Sequence, residues 1–163
     1  MKSMLMGSLF VLASMQARAE GDAAALAEQP KSVKVTLAQA LKAGAAKGKP
    51  ISAKFELEYG RFQLSVYTVS GAIFSEMIVD HATGEITRTE TIISDDDLSA
   101  AKAQSEALVG AKVSLQNAVV RAQKANKGYR AVSITPSKRN GRASAEVTLL
   151  KGSESKTVVE QLD

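Results

Sequence analysis

Apolar residues recur at helical spacing in the stretch LAQALKAGA, residues 37–45, which predicts a helix with one buried face. Thr36 precedes the stretch and Gln39 follows three positions later, the pattern of a capping box that satisfies free amides at a helix start. Gly48 and Pro50 predict the helix end, because glycine accepts a left-handed cap and proline cannot extend a helix.

From Ser52 the period changes to two, and the apolar residues of AKFEL alternate with charged ones, as in a β-strand with one buried face. A turn at Tyr59 and Gly60 separates this strand from a second one, RFQLSV. A third strand is predicted at about residues 72–80, and a fourth reaches about residue 92.

The chain contains an internal repeat. VTLAQALKAGAAKGKPISAKFEL at residues 35–57 aligns with VSLQNAVVRAQKANKGYRAVSIT at residues 113–135. Further on, YGRFQLSV at 59–66 resembles NGRASAEV at 140–147. The shared order of cap, helix, strand, glycine turn and strand indicates a duplication. The second copy therefore predicts a helix at about 114–126 and strands near 130–135, 142–150 and 156–161.

These patterns predict an α+β fold made of two tandem helix-plus-antiparallel-sheet units packed around a shared core. Ser94 and the three aspartates after it predict a linking helix to about Leu108, since Ser caps helices and acids favour the positive helix start. The expected organisation is a signal peptide at 1–19, a flexible arm at 20–34, a first unit at 35–92, a linking helix at 93–112 and a second unit at 113–163.

The first twenty residues have the three parts of a secretory signal peptide. Lys2 supplies the positive charge, and residues 4–15 form an apolar run that is too short to span a bilayer. Ala17 and Ala19 give the small-x-small pattern before Glu20, where we expect the mature chain to begin. We therefore expect a periplasmic protein without a membrane span.

Three segments, VTLAQAL, ISAKFELEYGRFQLSVYTV and FSEMIVDHATGEI, resemble the PepSY domain family over residues 33–92. The second copy, residues 113–163, keeps the helix and GYRAVSI but lacks the Asp-x-x-Thr-Gly corner. The resemblance implies an exported, non-catalytic module of helix plus antiparallel sheet. Such domains are proposed to inhibit or regulate peptidases, so the implied partner is an envelope protein or peptide, recognised by a sheet face or a free sheet edge.

Composition argues against an enzyme. The chain has no cysteine, which excludes thiol catalysis, disulfides and thiolate metal sites. Its one histidine, His81, follows Asp80, and neighbouring strand side chains point to opposite faces, so the two cannot form a catalytic pair. Asp80, Thr83 and Gly84 instead predict a structural turn between two strands.

Metal binding is the alternative function, and no other cofactor is implied. Carboxylates at Glu90, Asp95, Asp96 and Asp97 could hold a hard divalent or trivalent cation of the calcium or lanthanide type through oxygen ligands. Their spacing does not match a calcium-binding loop, and helix capping accounts for the three aspartates.

Charge divides unevenly between the two halves. Residues 20–111 hold 9 basic and 13 acidic residues, a net charge of −4, whereas residues 112–163 hold 10 basic and 4 acidic residues, a net charge of +6. Nucleic acid is not an expected partner, because Tyr129 is the only aromatic residue of the basic half. The sequence does not indicate an oligomeric state. The uneven charge predicts either a solvated surface or a basic face for an acidic partner, such as envelope glycans, lipid head groups or an acidic protein surface. The candidate basic partner face consists of Lys124, Lys127, Arg130, Lys138, Arg139 and Arg142.

Overall fold

The computed structural model describes residues 25–28 and 32–163. Within them, three helices and one seven-stranded sheet form the fold, with a helical turn at 25–27 before them. In chain order the elements are α1 (Leu37–Ala45), β1 (Lys49–Glu58), β2 (Arg61–Ser70), β3 (Ile73–Val79), β4 (Ile86–Thr91), α2 (Asp95–Ala107), α3 (Leu115–Ala125), β5 (Arg130–Arg139), β6 (Arg142–Lys151) and β7 (Glu154–Gln161).

The strand order is β4-β3-β2-β1-β5-β6-β7, and every neighbouring pair is antiparallel. The two halves of the chain meet at β1 and β5, where Ala53 lies opposite Ile134 and Lys54 opposite Ser133. Each half supplies one helix followed by hairpin-connected strands. The predicted α+β class is confirmed, while the assignment of the halves as PepSY-like units remains a prediction.

The starts of α1 and α3 show why these segments become helices. Thr36 Oγ1 accepts a hydrogen bond from the Gln39 amide at 3.2 Å, and Gln39 Oε1 accepts one from the Thr36 amide at 2.8 Å, which completes a capping box. Ser114 Oγ caps α3 by accepting from the Asn117 amide at 3.2 Å. Both caps leave one apolar helix face free to pack on the sheet.

The hydrophobic core lies between one sheet face and the helices α1 and α3, which also contact each other. Side chains from both halves join in one cluster, so burial of apolar area couples the halves. Its largest fully buried side chains are Leu37, Leu41, Ile51, Leu64, Val66, Val79, Val119, Val132, Ile134, Leu149, Leu150 and Leu162.

The linking helix α2 lies on the opposite sheet face, where it contacts β1 and β5. Only Ala101 and Ala107 of its residues are buried, and Ser52 Oγ donates to Gln104 Oε1 at 2.7 Å. The helix ends at Ala107, with Leu108 as its C-cap, which agrees with the predicted end at about Leu108. It does not continue to residue 112, and Gly110 beyond it has a positive φ of 85°.

Strand β1 begins at Lys49, three residues before the predicted start. Pro50 lies within it opposite Thr68, although the sequence suggested that this proline only ends a helix. The register shifts between Pro50 and Ser52, so the proline lies at an irregularity close to the strand start, where a missing amide is tolerated.

The N-terminal segment is described in part. Leu26 is buried, and its carbonyl accepts a hydrogen bond from Arg130 Nη2, so this piece of the predicted flexible arm is docked on the fold. The predicted signal peptide and cleavage site, with Ala17, Ala19 and Glu20, lie outside the described residues. Among the described residues, no helix has the length and apolar character needed to cross a membrane.

Gly44 provides a test of the packing between α1 and β2. Alanine normally stabilises a helix interior by about 1 kcal/mol relative to glycine. A Cβ added at Gly44, however, would lie 2.6 Å from Val66 Cγ1, and the β-branched valine has little rotamer freedom. We expect Gly44→Ala to lower the free energy of unfolding by about 1–3 kcal/mol, measured by urea denaturation.

The control for this substitution is the double variant Gly44→Ala/Val66→Ala, compared with Val66→Ala alone. With the valine methyls removed, the glycine-to-alanine step should become neutral or stabilising, since only the helix propensity remains. A stabilising Gly44→Ala in the presence of Val66 would contradict the close packing.

Candidate binding groove

The sheet face that is not covered by α1 and α3 carries an open groove of about 660 Å³. Its floor comes from β1 to β4, with two residues of β5 at one end. One wall is α2, and the segment 92–94, which connects β4 to α2, closes a corner. The groove therefore exists because α2 crosses the sheet next to β1 without covering the outer strands.

Negative charge dominates the groove. Strand alternation places the apolar residues of KFELE toward α1 and its charged residues toward the groove. Lys54 is the one basic residue of the lining. Five carboxylates also line the groove, those of Glu56, Glu58, Glu76, Glu90 and Asp97.

Hydrogen bonds fix the groove floor. Tyr67 Oη donates to Glu76 Oε1 at 3.1 Å, and Ser65 Oγ donates to Glu56 Oε1 at 2.9 Å. Lys54 Nζ forms an ion pair with Glu56 Oε2 at 2.6 Å and lies 5.6 Å from the centre of the Tyr67 ring. Two of the carboxylates are thus held in place before any ligand arrives.

Burial and the neighbouring carboxylates change the acidity of the Tyr67 phenol. Burial raises the pKa of its phenol well above the usual range, and the negative charges of Glu56 and Glu76 raise that pKa further. The hydrogen bond to Glu76 acts in the same direction, because it requires the protonated phenol as donor. Tyr67 therefore remains a neutral hydrogen-bond donor in the groove.

Two of the carboxylates oppose each other across neighbouring strands. Glu76 on β3 pairs directly with Glu90 on β4, so both side chains lie on the groove face. Like charges in this position destabilise a sheet. Arg88 Nε lies 3.3 Å from Glu90 Oε1, but this pair is exposed and offsets little of the repulsion.

The candidate metal ligands are divided by the fold. Glu90 and Asp97 line the groove, whereas Asp95 and Asp96 lie exposed on the first turn of α2 and outside the lining. Ser94 Oγ accepts from the Asp97 amide at 3.3 Å and donates to Asp97 Oδ2 at 2.7 Å, which is helix capping. In the described part of the chain, no three acidic or histidine side chains are grouped closely enough to share one ion.

Asp80, Thr83 and Gly84 form the corner between β3 and β4. Asp80 Oδ1 accepts from the Ala82 and Thr83 amides at 2.7 and 2.9 Å, and these two donors hold the pKa of the Asp80 carboxyl below its usual range. Gly84 has a φ of 83°, and its amide donates to the Asp80 carbonyl at 2.8 Å. These contacts belong to a turn.

His81 also serves the corner and does not line the groove. Its carbonyl accepts from the amides of Lys34 and Val35 at 2.8 and 3.0 Å, which ties the segment before α1 to the corner. The imidazole meets the Phe62 ring edge-on at 5.4 Å, with Nδ1 buried.

The basic residues singled out in the sequence do not form one surface. Arg130 begins β5 and Arg139 ends it, so they lie about 30 Å apart at a rise of ~3.3 Å per residue. The basic residues therefore fall into one group near Arg130 and a distal group near Arg139. The distal group is paired with acids: Lys138 with Glu106 at 3.3 Å, Arg139 with Glu146 at 2.7 Å, and Arg142 with Asp163. Lys124 lies in the last turn of α3, and Lys127 follows the helix end, three residues before Arg130 in the chain.

Sequence reasoning missed the groove itself. The alternation of KFELE showed that Glu56 and Glu58 share a polar face. Glu76 had no such pattern, because it becomes a neighbour of Tyr67 and Glu90 only through strand register.

Comparison with known proteins adds little. No family model and no curated protein sequence matches the chain. The chain is similar to the crystal structure of a predicted lipoprotein from Clostridium difficile 630, with 17% sequence identity and a TM-score of 0.45. The similarity covers 85% of this chain and 91% of that one, and at this TM-score it carries no conclusion about fold or function.

The raised pKa of Tyr67 predicts how stability responds to alkali. Above about pH 10 an unfolded tyrosine releases its proton, whereas folded Tyr67 retains it. Deprotonation therefore stabilises the unfolded state relative to the folded state, and the free energy of unfolding falls as pH rises. Tyr67→Phe removes this component. Between pH 10 and 11, the free energy of unfolding should fall less steeply in Tyr67→Phe, by at most about 1.4 kcal/mol per pH unit.

The measurement is urea denaturation followed by circular dichroism, from pH 7 to 11, on both proteins. Between pH 7 and 9 the difference between them should not vary with pH. Identical alkaline slopes in the two proteins would contradict the protonated state assigned to Tyr67.

Proposed function

We propose that the chain is a non-enzymatic, exported binding module that recognises a peptide or protein through the groove. The observation that carries this proposal is an open groove with a fixed polar floor, beside an outer strand of the sheet. Its volume of about 660 Å³ lies within the range of sites that hold ligands in proteins.

The preorganised floor favours binding over a merely solvated surface. Glu56 and Glu76 are oriented by Ser65 and Tyr67, so a ligand that meets them does not have to order these side chains. The resemblance of residues 33–92 to PepSY domains suggests the biological setting, which is regulation of a peptidase in the periplasm. The N-terminal signal-peptide pattern with cleavage after Ala19 supports the same compartment.

Binding of a hard cation is the second candidate function. It is favoured by Glu90 and Asp97, two of the predicted ligands, which both line the groove. Isothermal titration with calcium and with a trivalent lanthanide tests it. Micromolar or tighter uptake that is lost in Glu90→Gln/Asp97→Asn and kept in Asp95→Asn/Asp96→Asn would place the ion in the groove, and absence of heat for every ion would remove this function.

Filling the groove tests the first proposal. Ala100 is exposed on α2 and lines the groove, whereas its neighbour Ser99 is exposed outside it. Peptides that bind residues 20–163 are first selected from a displayed random library. We expect these peptides to bind the Ala100→Tyr variant at least about tenfold more weakly than the original chain, because the new ring occupies the groove. Fluorescence anisotropy measures the affinities.

Ser99→Tyr is the matched control and should bind within about twofold of the original chain. Circular dichroism verifies that both variants fold. Equal affinity for the two tyrosine variants, or a library that yields no saturable binder, would contradict recognition through the groove.

A further inference from the structure

Strand β4 has one neighbour in the sheet among the described residues, namely β3. The Ile92 amide donates to the Phe74 carbonyl at 2.9 Å, so amides along this edge alternate between β3 and the outside. The amides of Thr89 and Thr91 therefore point away from the sheet. A row of outward amides and carbonyls is a template for another extended chain.

The groove runs along the same edge. Thr91 and Glu90 of β4 belong to its lining, together with Ile93, which is 83% exposed at the rim. A strand added beside β4 would turn every second side chain toward this face. Edge and groove are thus continuous, and a single extended ligand can use both.

Charge decides the chemistry of that ligand. A side chain on the added strand beside Glu90 enters a groove whose lining has five carboxylates and one ammonium group. Arg88, outside the lining, pairs with Glu90 at 3.3 Å, and with it the carboxylates still outnumber the cationic groups by five to two. A lysine or arginine there would also relieve the repulsion between Glu90 and Glu76. The chain without its predicted signal peptide holds 19 basic and 17 acidic residues, so its net charge does not attract cations. Attraction of a basic segment is local to this groove.

The opposite edge of the sheet lacks this combination. On β7, Lys156 Nζ lies 4.2 Å from the centre of the Tyr129 ring, which Lys151 Nζ approaches to 5.8 Å. Glu154 and Glu160 also lie on β7, but Glu154 accepts a hydrogen bond from the Tyr129 hydroxyl and Glu160 is paired with Arg121. The acids of this edge are therefore already bound to basic or hydroxyl groups of the chain itself.

We propose that β4 binds an extended peptide segment with lysine or arginine at alternate positions, which adds a strand to the sheet and directs its basic side chains into the groove toward Glu90 and Glu76. This inference rests on the proposed peptide-binding function and names its ligand class and docking edge.

The first experiment uses two labelled peptides, TKTKTKT and TETETET, blocked at both ends, with the chain at residues 20–163. We expect saturable binding of the lysine peptide and none of the glutamate peptide by fluorescence anisotropy. Glu76→Gln/Glu90→Gln should weaken binding at least about tenfold. Asp95→Asn/Asp96→Asn removes the same charge outside the groove and should stay within about twofold. Equal weakening by both double variants would overturn the proposal.

The second experiment tests strand addition through the ligand, so that no folding defect can interfere. Only every second amide of an added strand faces β4. Two variants of TKTKTKT are compared, one N-methylated on the threonine amides and one on the lysine amides. Their affinities should differ: one variant should bind like the unmethylated peptide and the other should not bind. Similar affinities for both peptides would overturn the assignment to the β4 edge.

Other outcomes separate this inference from the function on which it rests. If library peptides bind in the groove but carry no basic residues, and TKTKTKT does not bind, the peptide-binding function stands and this inference fails. If no peptide binds at all, both fail. A dimer in sedimentation that Glu76→Gln/Glu90→Gln dissociates would assign the edge to a second copy of the chain and overturn the proposal.

Discussion

The pairing of β1 with β5 is the contact on which the rest of the fold depends. It joins the four strands of the first half to the three strands of the second in one sheet, and it brings α1 and α3 side by side on the same face. Their apolar faces then close over Leu64 and Val66 of one half and Ile134 and Val147 of the other. Neither half could bury these side chains alone, so the stability of each half depends on the other.

Because the hydrophobic core lies on one face of the sheet, the other face can carry polar and charged side chains. Its residues are fixed by strand alternation, but the groove also requires α2 as a wall. This helix buries only two alanines, so it is held by few apolar contacts, by the hydrogen bond between Ser52 and Gln104 and by the ion pair between Lys138 and Glu106. The position of α2 is therefore the weakest support of the site, and a change in that helix would alter the groove before it altered the core.

Much of the fold could be predicted from the sequence. The capping box at Thr36, the alternation after Ser52 and the repeat placed the helices and most strands, because these signals are local. The groove could not be predicted in the same way. Glu76 and Glu90 are fourteen residues apart and meet through register, and the basic residues from Lys124 to Arg142 separate because β5 extends between them. Local patterns do not report such distances.

The linking helix also breaks the symmetry of the molecule. The two halves meet at β1 and β5 with similar elements on each side, but there is one linking helix. Most of the groove lining comes from the first half and this helix. On the same face of the second half, Ser144 is buried and Glu146 is paired with Arg139. A ligand of the groove should thus occupy one equivalent per chain, despite the duplicated architecture.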